Sequence, residues 1–134
     1  MNFSVQTNAH IGRDAYRTEI QVRHHQLIAD EPEANGGKDL GPTAHELLAA
    51  ALCACTNATV RMYADRKQWP LEAIDTSVTV EHGASFDDTR ITRTVHFTGD
   101  LSDEQRARLM QIADRCPIHR TLGGTIQITT SEMR

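Results

Sequence analysis

The chain has 134 residues, 39% hydrophobic and 24% charged, with 14 Lys+Arg against 18 Asp+Glu for a net charge of −4. This is the balance of a globular chain rather than a disordered one, and residues 1–134 are expected to form a single domain. No strong basic field argues for nucleic acid as a partner, and the longest unbroken apolar run, Leu47 to Cys55, falls well short of the roughly 20 residues that span a bilayer.

The first residues, Met1 to Gln6, carry neither the basic stretch nor the apolar stretch of a secretory leader. Three cysteines, an odd number, suit a reducing compartment such as the cytoplasm. Gly12-Arg13-Asp14 is a turn signal, and Tyr16, Thr18, Ile20 and Val22 then alternate as in a half-buried strand. His24-His25 reads as a strand pair pointing to opposite faces of a solvated edge. Residues 30–42 are polar and rich in Gly and Pro, which predicts a loop.

A long helix follows. Thr43 and Glu46 have the spacing of a capping box. Leu48, Ala51, Cys55, Ala58 and Met62 recur at spacings of three and four, which predicts that they form one packed face. Pro70 ends the helix near Lys67-Gln68. Ile74, Thr76, Val78 and Val80 predict a strand, and Ile91, Arg93, Val95 and Phe97 predict another, with Gly83 and Asp87-Asp88 between them. Ser102 and Gln105 form a second capping box, ahead of a helix with Leu109, Ile112, Ala113 and Cys116 on one face. Pro117 closes that helix or starts a new turn. A last strand is expected over Thr125 to Thr130, with Ile126 and Ile128 on the same side. The order predicts an α+β fold with mostly antiparallel pairing.

The chemistry-bearing residues are three thiols and seven histidines. Cys53 and Cys55 lie about 200° apart around a helix of 3.6 residues per turn, so they do not share one site unless the helix breaks. An apolar helix face raises a thiol pKa, and Ala51, Leu52, Ala58 and Thr59 carry no charge. A cation that activates Cys55 must therefore come from elsewhere; Arg13, Arg17, Arg23, Arg115 and Arg120 are available. If Pro117 begins a new turn, Cys116 sits at a helix N-terminus, where amides favour thiolate; otherwise it is a core contact of Leu109 and Ala113. A zinc site from Cys53, Cys55, Cys116 and His119 is a further reading, with poor spacing. Capping accounts for Glu46 without a catalytic role.

Gly41 to Leu48, Ala50 to Thr56 and Arg61 to Lys67 together resemble the signature helix of the OsmC/Ohr family, the osmotically inducible and organic hydroperoxide resistance proteins. Ile112 to Leu122, around Cys116-Pro117, resembles that family's second cysteine motif, and Ala29 to Pro32 with Gly36-Gly37 resembles the loop before the helix in one branch. The resemblance implies an OsmC-like fold, with mostly antiparallel sheets around a long central helix in an intertwined homodimer. It implies a cytoplasmic, cofactor-free and metal-free thiol peroxidase that reduces organic hydroperoxides with an external dithiol. Cys55 matches the peroxidatic cysteine and Cys116 the resolving one, so the implied disulfide joins these two. Glu46, nine residues before Cys55, matches the glutamate of the wider branch; His45 stands where the hydroperoxide-resistance branch has its own. Arg13 is the nearest local match to the activating arginine, and Cys53 replaces a usual small residue. The alternative is a stress or small-molecule-binding protein with the same fold and little turnover.

Overall fold

The computed structural model describes residues 4–134; Met1 to Phe3, half of the segment read for a leader, lie outside the described residues. The described chain forms two compact units, one ending at Leu48 and the other running from Ala49 to Arg134.

The first unit holds a three-stranded antiparallel sheet in the order β1 (Asn8–His10), β2 (Thr18–Val22) and β3 (His25–Ala29). The predicted strand starts two residues late, because the Tyr16 N–H goes to the Asp30 carboxylate (3.1 Å) rather than into the ladder. The predicted His24-His25 strand pair is corrected. Val22 pairs with His25, so Arg23 and His24 form the hairpin turn, with Arg23 in the left-handed region (φ 53°). The loop after β3 is organised by Asp30. Its buried carboxylate accepts from the N–H groups of Tyr16, Glu31, Lys38 and Leu40 at 2.7–3.3 Å. Burial pushes the Asp30 pKa up, but the N–H groups of Glu31, Leu40, Tyr16 and Lys38 together outweigh it and hold the carboxyl below its ordinary value. Gly37 is required there, since a Cβ would collide with the Glu31 carbonyl.

Helix α1 (Ala44–Lys67) starts at the predicted capping box. The Thr43 N–H donates to Glu46 Oε1 (2.8 Å) and the Glu46 N–H to Thr43 Oγ1 (3.2 Å). It ends as predicted: Gln68 is left-handed (φ 58°), and the Trp69 N–H returns to the Ala64 carbonyl (2.9 Å). The predicted packed face is corrected. Leu52, Thr56, Val60 and Ala64 are the buried row, while Leu48 and Met62 are 38% and 63% exposed. Both rows are apolar, so periodicity alone could not choose between them; the sheet below does. Counting only unbroken apolar runs also understated this helix. By length and composition alone it could cross a membrane, its most apolar 18-residue window having a mean hydropathy of 1.3.

That sheet is the hairpin of β4 (Leu71–His82) and β5 (Thr89–Gly99), antiparallel from Leu71–Gly99 to His82–Thr89. Ile74, Thr76, Val78 and Val80 on β4 and Ile91, Arg93 and Val95 on β5 are half-buried and Phe97 is buried, as alternation predicts. Helix α2 (Asp103–Ala113) has its capping box at Ser102 and Gln105. Leu109, Ile112 and Ala113 join Val60, Ala64, Leu71 and Phe97 in one core, with Tyr63, Trp69 and Val95 against it. A short helix α3 (Pro117–Gly123) follows. The expected last strand is corrected: residues 125–130 pair with no strand among the described residues, and Ile126 and Ile128 are 56% and 85% exposed. Alternation alone cannot make a strand where no ladder partner lies alongside.

Candidate functional site

The site belongs to the second unit and begins with the break between α2 and α3. Pro117 lacks an N–H and fits the first position of a helix, so the chain turns at Asp114-Arg115 and restarts with Cys116 as N-cap. This settles the two readings left open for Cys116: it is fully buried and it caps a helix. Its Sγ accepts from the His119 N–H at 3.3 Å.

The neighbouring amide serves the other thiol. The Ile118 N–H points at Cys55 Sγ, 3.5 Å away, and Thr59 Oγ1 lies 4.0 Å from the same sulfur. Cys55 and Cys116 are thus brought together under the first turn of α3. Burial pushes the Cys55 thiol above its ordinary pKa; the Ile118 amide opposes this and the Cys116 thiol beside it adds to it. The helix-face argument that separates Cys53 from Cys55 agrees with their placement. Cys53 Sγ turns toward the Thr76 carbonyl on β4 (3.7 Å). The four candidate zinc ligands therefore do not converge, and no group of three potential metal ligands occurs among the described residues.

The predicted cations divide differently from the expectation. Arg17 is paired with Glu19 at 2.7 Å, and Arg23 sits in the β2–β3 turn. Arg13 is exposed in a surface depression with His10, Asp14, Arg17 and Glu19, in the first unit. Glu46, also in the first unit, is engaged in its cap. Arg115 and Arg120 are exposed. The residue the sequence reading missed is Arg93. Its side chain is only 10% exposed. It donates to Thr56 Oγ1 (3.1 Å) and to Asp114 Oδ1 (2.7 Å), and it approaches His119 Nδ1 at 3.1 Å. A guanidinium only donates, so in this contact the acceptor is His119 Nδ1. The signal was available: Arg93 is the single charged member of the inward row Ile91, Arg93, Val95, Phe97.

Beside this cluster is a cavity of about 400 Å³, lined by Leu52, Ile91, Arg93, Met110, His119 and Leu122 among others. Thr89 and Asp114 also line it, so its wall is divided between apolar and polar groups, a mixture that suits a small organic ligand with a polar end. The site places a half-buried thiol, Cys55, and a buried one, Cys116, under the same helix turn, and the apolar side chains of the neighbouring cavity offer an alkyl body a place to lie. A second cavity, of about 470 Å³, opens in the first unit beside Tyr16, Asp30 and His45; no cysteine lines either cavity.

The family model for OsmC-like proteins matches residues 36–131. No curated protein matches the chain in sequence. Among solved structures, an OsmC-like protein from Mycoplasma pneumoniae superposes with a TM-score of 0.80 at 21% identity, over 92% of this chain and 90% of that one. An organic hydroperoxide resistance protein OsmC from Legionella pneumophila gives 0.69 at 21% identity, over 92% of each chain. The organic hydroperoxide resistance protein OhrB of Bacillus subtilis gives 0.63 at 22% identity, over 91% of this chain and 92% of that one.

Proposed function

This chain belongs to the OsmC-like protein family, and on that premise we propose that it is a cytoplasmic thiol peroxidase acting on organic hydroperoxides. The observation that carries the reading is the pairing of two adjacent amides, Ile118 and His119, with two different sulfurs, Cys55 and Cys116. The Cys55 thiolate attacks the terminal peroxide oxygen; the O–O bond breaks and the alkoxide takes a proton to leave as alcohol. Cys55 is then a sulfenic acid. The Cys116 sulfur attacks the Cys55 sulfur, the S–S bond forms, and the hydroxyl leaves with the thiol proton as water. An external dithiol returns both cysteines to thiols by exchange.

The reaction needs a thiolate, whereas the surroundings of Cys55 hold it protonated. Arg13 and Glu46, which the family pattern assigns to activation, complete the catalytic set in this proposal together with Cys55 and Cys116. Arg13→Met and Glu46→Gln are expected to lower kcat/KM for the first step while leaving the disulfide free to form with a chemical oxidant. The chain acts as one OsmC-like domain and as a homodimer, the exposed row of Leu48, Ala51, Ala58 and Met62 on α1 being the surface a second copy covers. Neither a membrane nor nucleic acid takes part.

The deciding experiment is consumption of cumene hydroperoxide with a dithiol donor, set beside hydrogen peroxide. The apolar side chains Leu52, Ile91, Met110 and Leu122 in the cavity wall lead us to expect the organic substrate to have the higher kcat/KM; equal values, or a preference for hydrogen peroxide, count against the reading. The raised Cys55 thiol favours a second reading, a small-molecule-binding stress protein with little turnover, which predicts ligand binding without peroxide consumption.

A further inference from the structure

A charged side chain in the inward row of a sheet needs a reason. Burying a guanidinium carries a desolvation cost, and replacing a buried ion pair by apolar groups of similar volume is often neutral or stabilising. Arg93 stands between Ile91 and Val95, where an apolar side chain would pack. Stability alone therefore does not account for it. Its partners do: Thr56 is on α1, next in the chain to Cys55; Asp114 is at the end of α2; His119 is in the first turn of α3. Thr56 is itself anchored, its hydroxyl donating to the Leu52 carbonyl at 2.7 Å. Asp114 and His119 flank Cys116-Pro117-Ile118, the segment that carries the Cys116 sulfur and the Ile118 amide that reaches Cys55. One planar group thus ties the helix that carries Cys55 to the corner that carries Cys116.

We propose that Arg93 is a positioning residue for the dithiol step: through Asp114 and His119 it holds the α2–α3 corner so that Cys116 stays beside Cys55. The fork of the guanidinium suits this role, because separate N–H groups fix several acceptors at once, which a lysine ammonium does less rigidly. The inference deepens the peroxidase reading and depends on it for its setting, but the geometry of the two thiols can be measured without any peroxide.

The test uses the full chain and oxidised dithiothreitol at graded ratios to its reduced form. That reagent accepts the two electrons and two protons released when the Cys55–Cys116 disulfide forms. Peptide mapping without reduction reads the fraction bridged, hence the effective concentration of one thiol at the other. Arg93→Met is expected to lower that effective concentration at least tenfold, and Arg93→Lys to recover part of the loss. With one equivalent of cumene hydroperoxide, Arg93→Met should form the Cys55 sulfenic acid, trapped by dimedone, yet close the disulfide at least tenfold more slowly. If Arg93→Met does not fold, the double variant Asp114→Ala/His119→Ala decides. Its side chains are 67% and 43% exposed, it cuts the same link, and it should show the same loss. An effective concentration equal to wild type in a folded variant overturns the proposal. Wild-type protein that bridges with dithiothreitol but leaves cumene hydroperoxide untouched overturns the peroxidase reading alone, and the Arg93 effect on bridging still decides the positioning role.

Discussion

Two consecutive amides of a seven-residue helix divide themselves between two sulfurs, and most of the chemistry argued for this protein turns on that detail. It makes the three thiols distinguishable by experiment. Cys55→Ser should abolish hydroperoxide reduction. Cys116→Ser should react once and stop at a sulfenic acid open to further oxidation. Cys53→Ser should stay close to wild type, since its sulfur faces β4. Mass spectrometry after one equivalent of hydroperoxide checks all three, and finding Cys53 in the bridge would refute the pairing. The raised Cys55 pKa has a second consequence. Between the ordinary thiol pKa and the raised one, the unfolded chain has lost a proton that the folded chain keeps. Folding stability should therefore fall as pH rises through that window. Cys55→Ala should remove this part of the slope in urea titrations above neutral pH. Asp30 works in the opposite sense. Its carboxyl is held below the ordinary value, so the stability it contributes is present at neutral pH and is lost as pH falls through its folded pKa; Asp30→Asn should flatten the acid limb.

At the scale of elements, local sequence signals placed both capping boxes and the end of α1, because each rests on contacts within a few residues, and the β4–β5 hairpin, because two alternating runs flank one turn. Ser102→Ala should cost about 1 kcal/mol by losing one of these, measurable as a shift in urea midpoint without a change in slope. Leu109 is fully buried at the centre of the core, so Leu109→Ala should cost about 2–5 kcal/mol. The readings that failed concern partners distant in sequence. The buried face of α1 is the row Leu52, Thr56, Val60, Ala64, and the expected strand over 125–130 lacks a neighbour. An apolar row at helical spacing says that something covers it, not which row is covered by what. Arg93 was missed for the same reason: its three partners lie 21, 26 and 37 residues away along the chain.

For the whole molecule, the exposed row of α1 matters most. An apolar face with Met62 at 63% exposure leads us to expect a homodimer. Sedimentation at micromolar concentration should give twice the 14.9 kDa of the chain, and Met62→Glu should weaken the association. A stable wild-type monomer would count heavily against it. Short-range chemistry, meaning caps, turns, alternation and proline breaks, settles where elements begin and end; the two cysteine motifs and the capped helix between Gly-Pro and Trp-Pro sufficed to point to the OsmC-like fold. Only the tertiary structure decided which face of α1 is inside, that Cys116 begins a helix rather than ending one, and that Arg93 joins both thiol-bearing segments. Those outcomes depend on which surfaces meet, and burial, desolvation and hydrogen-bond partners come into being when distant segments pack.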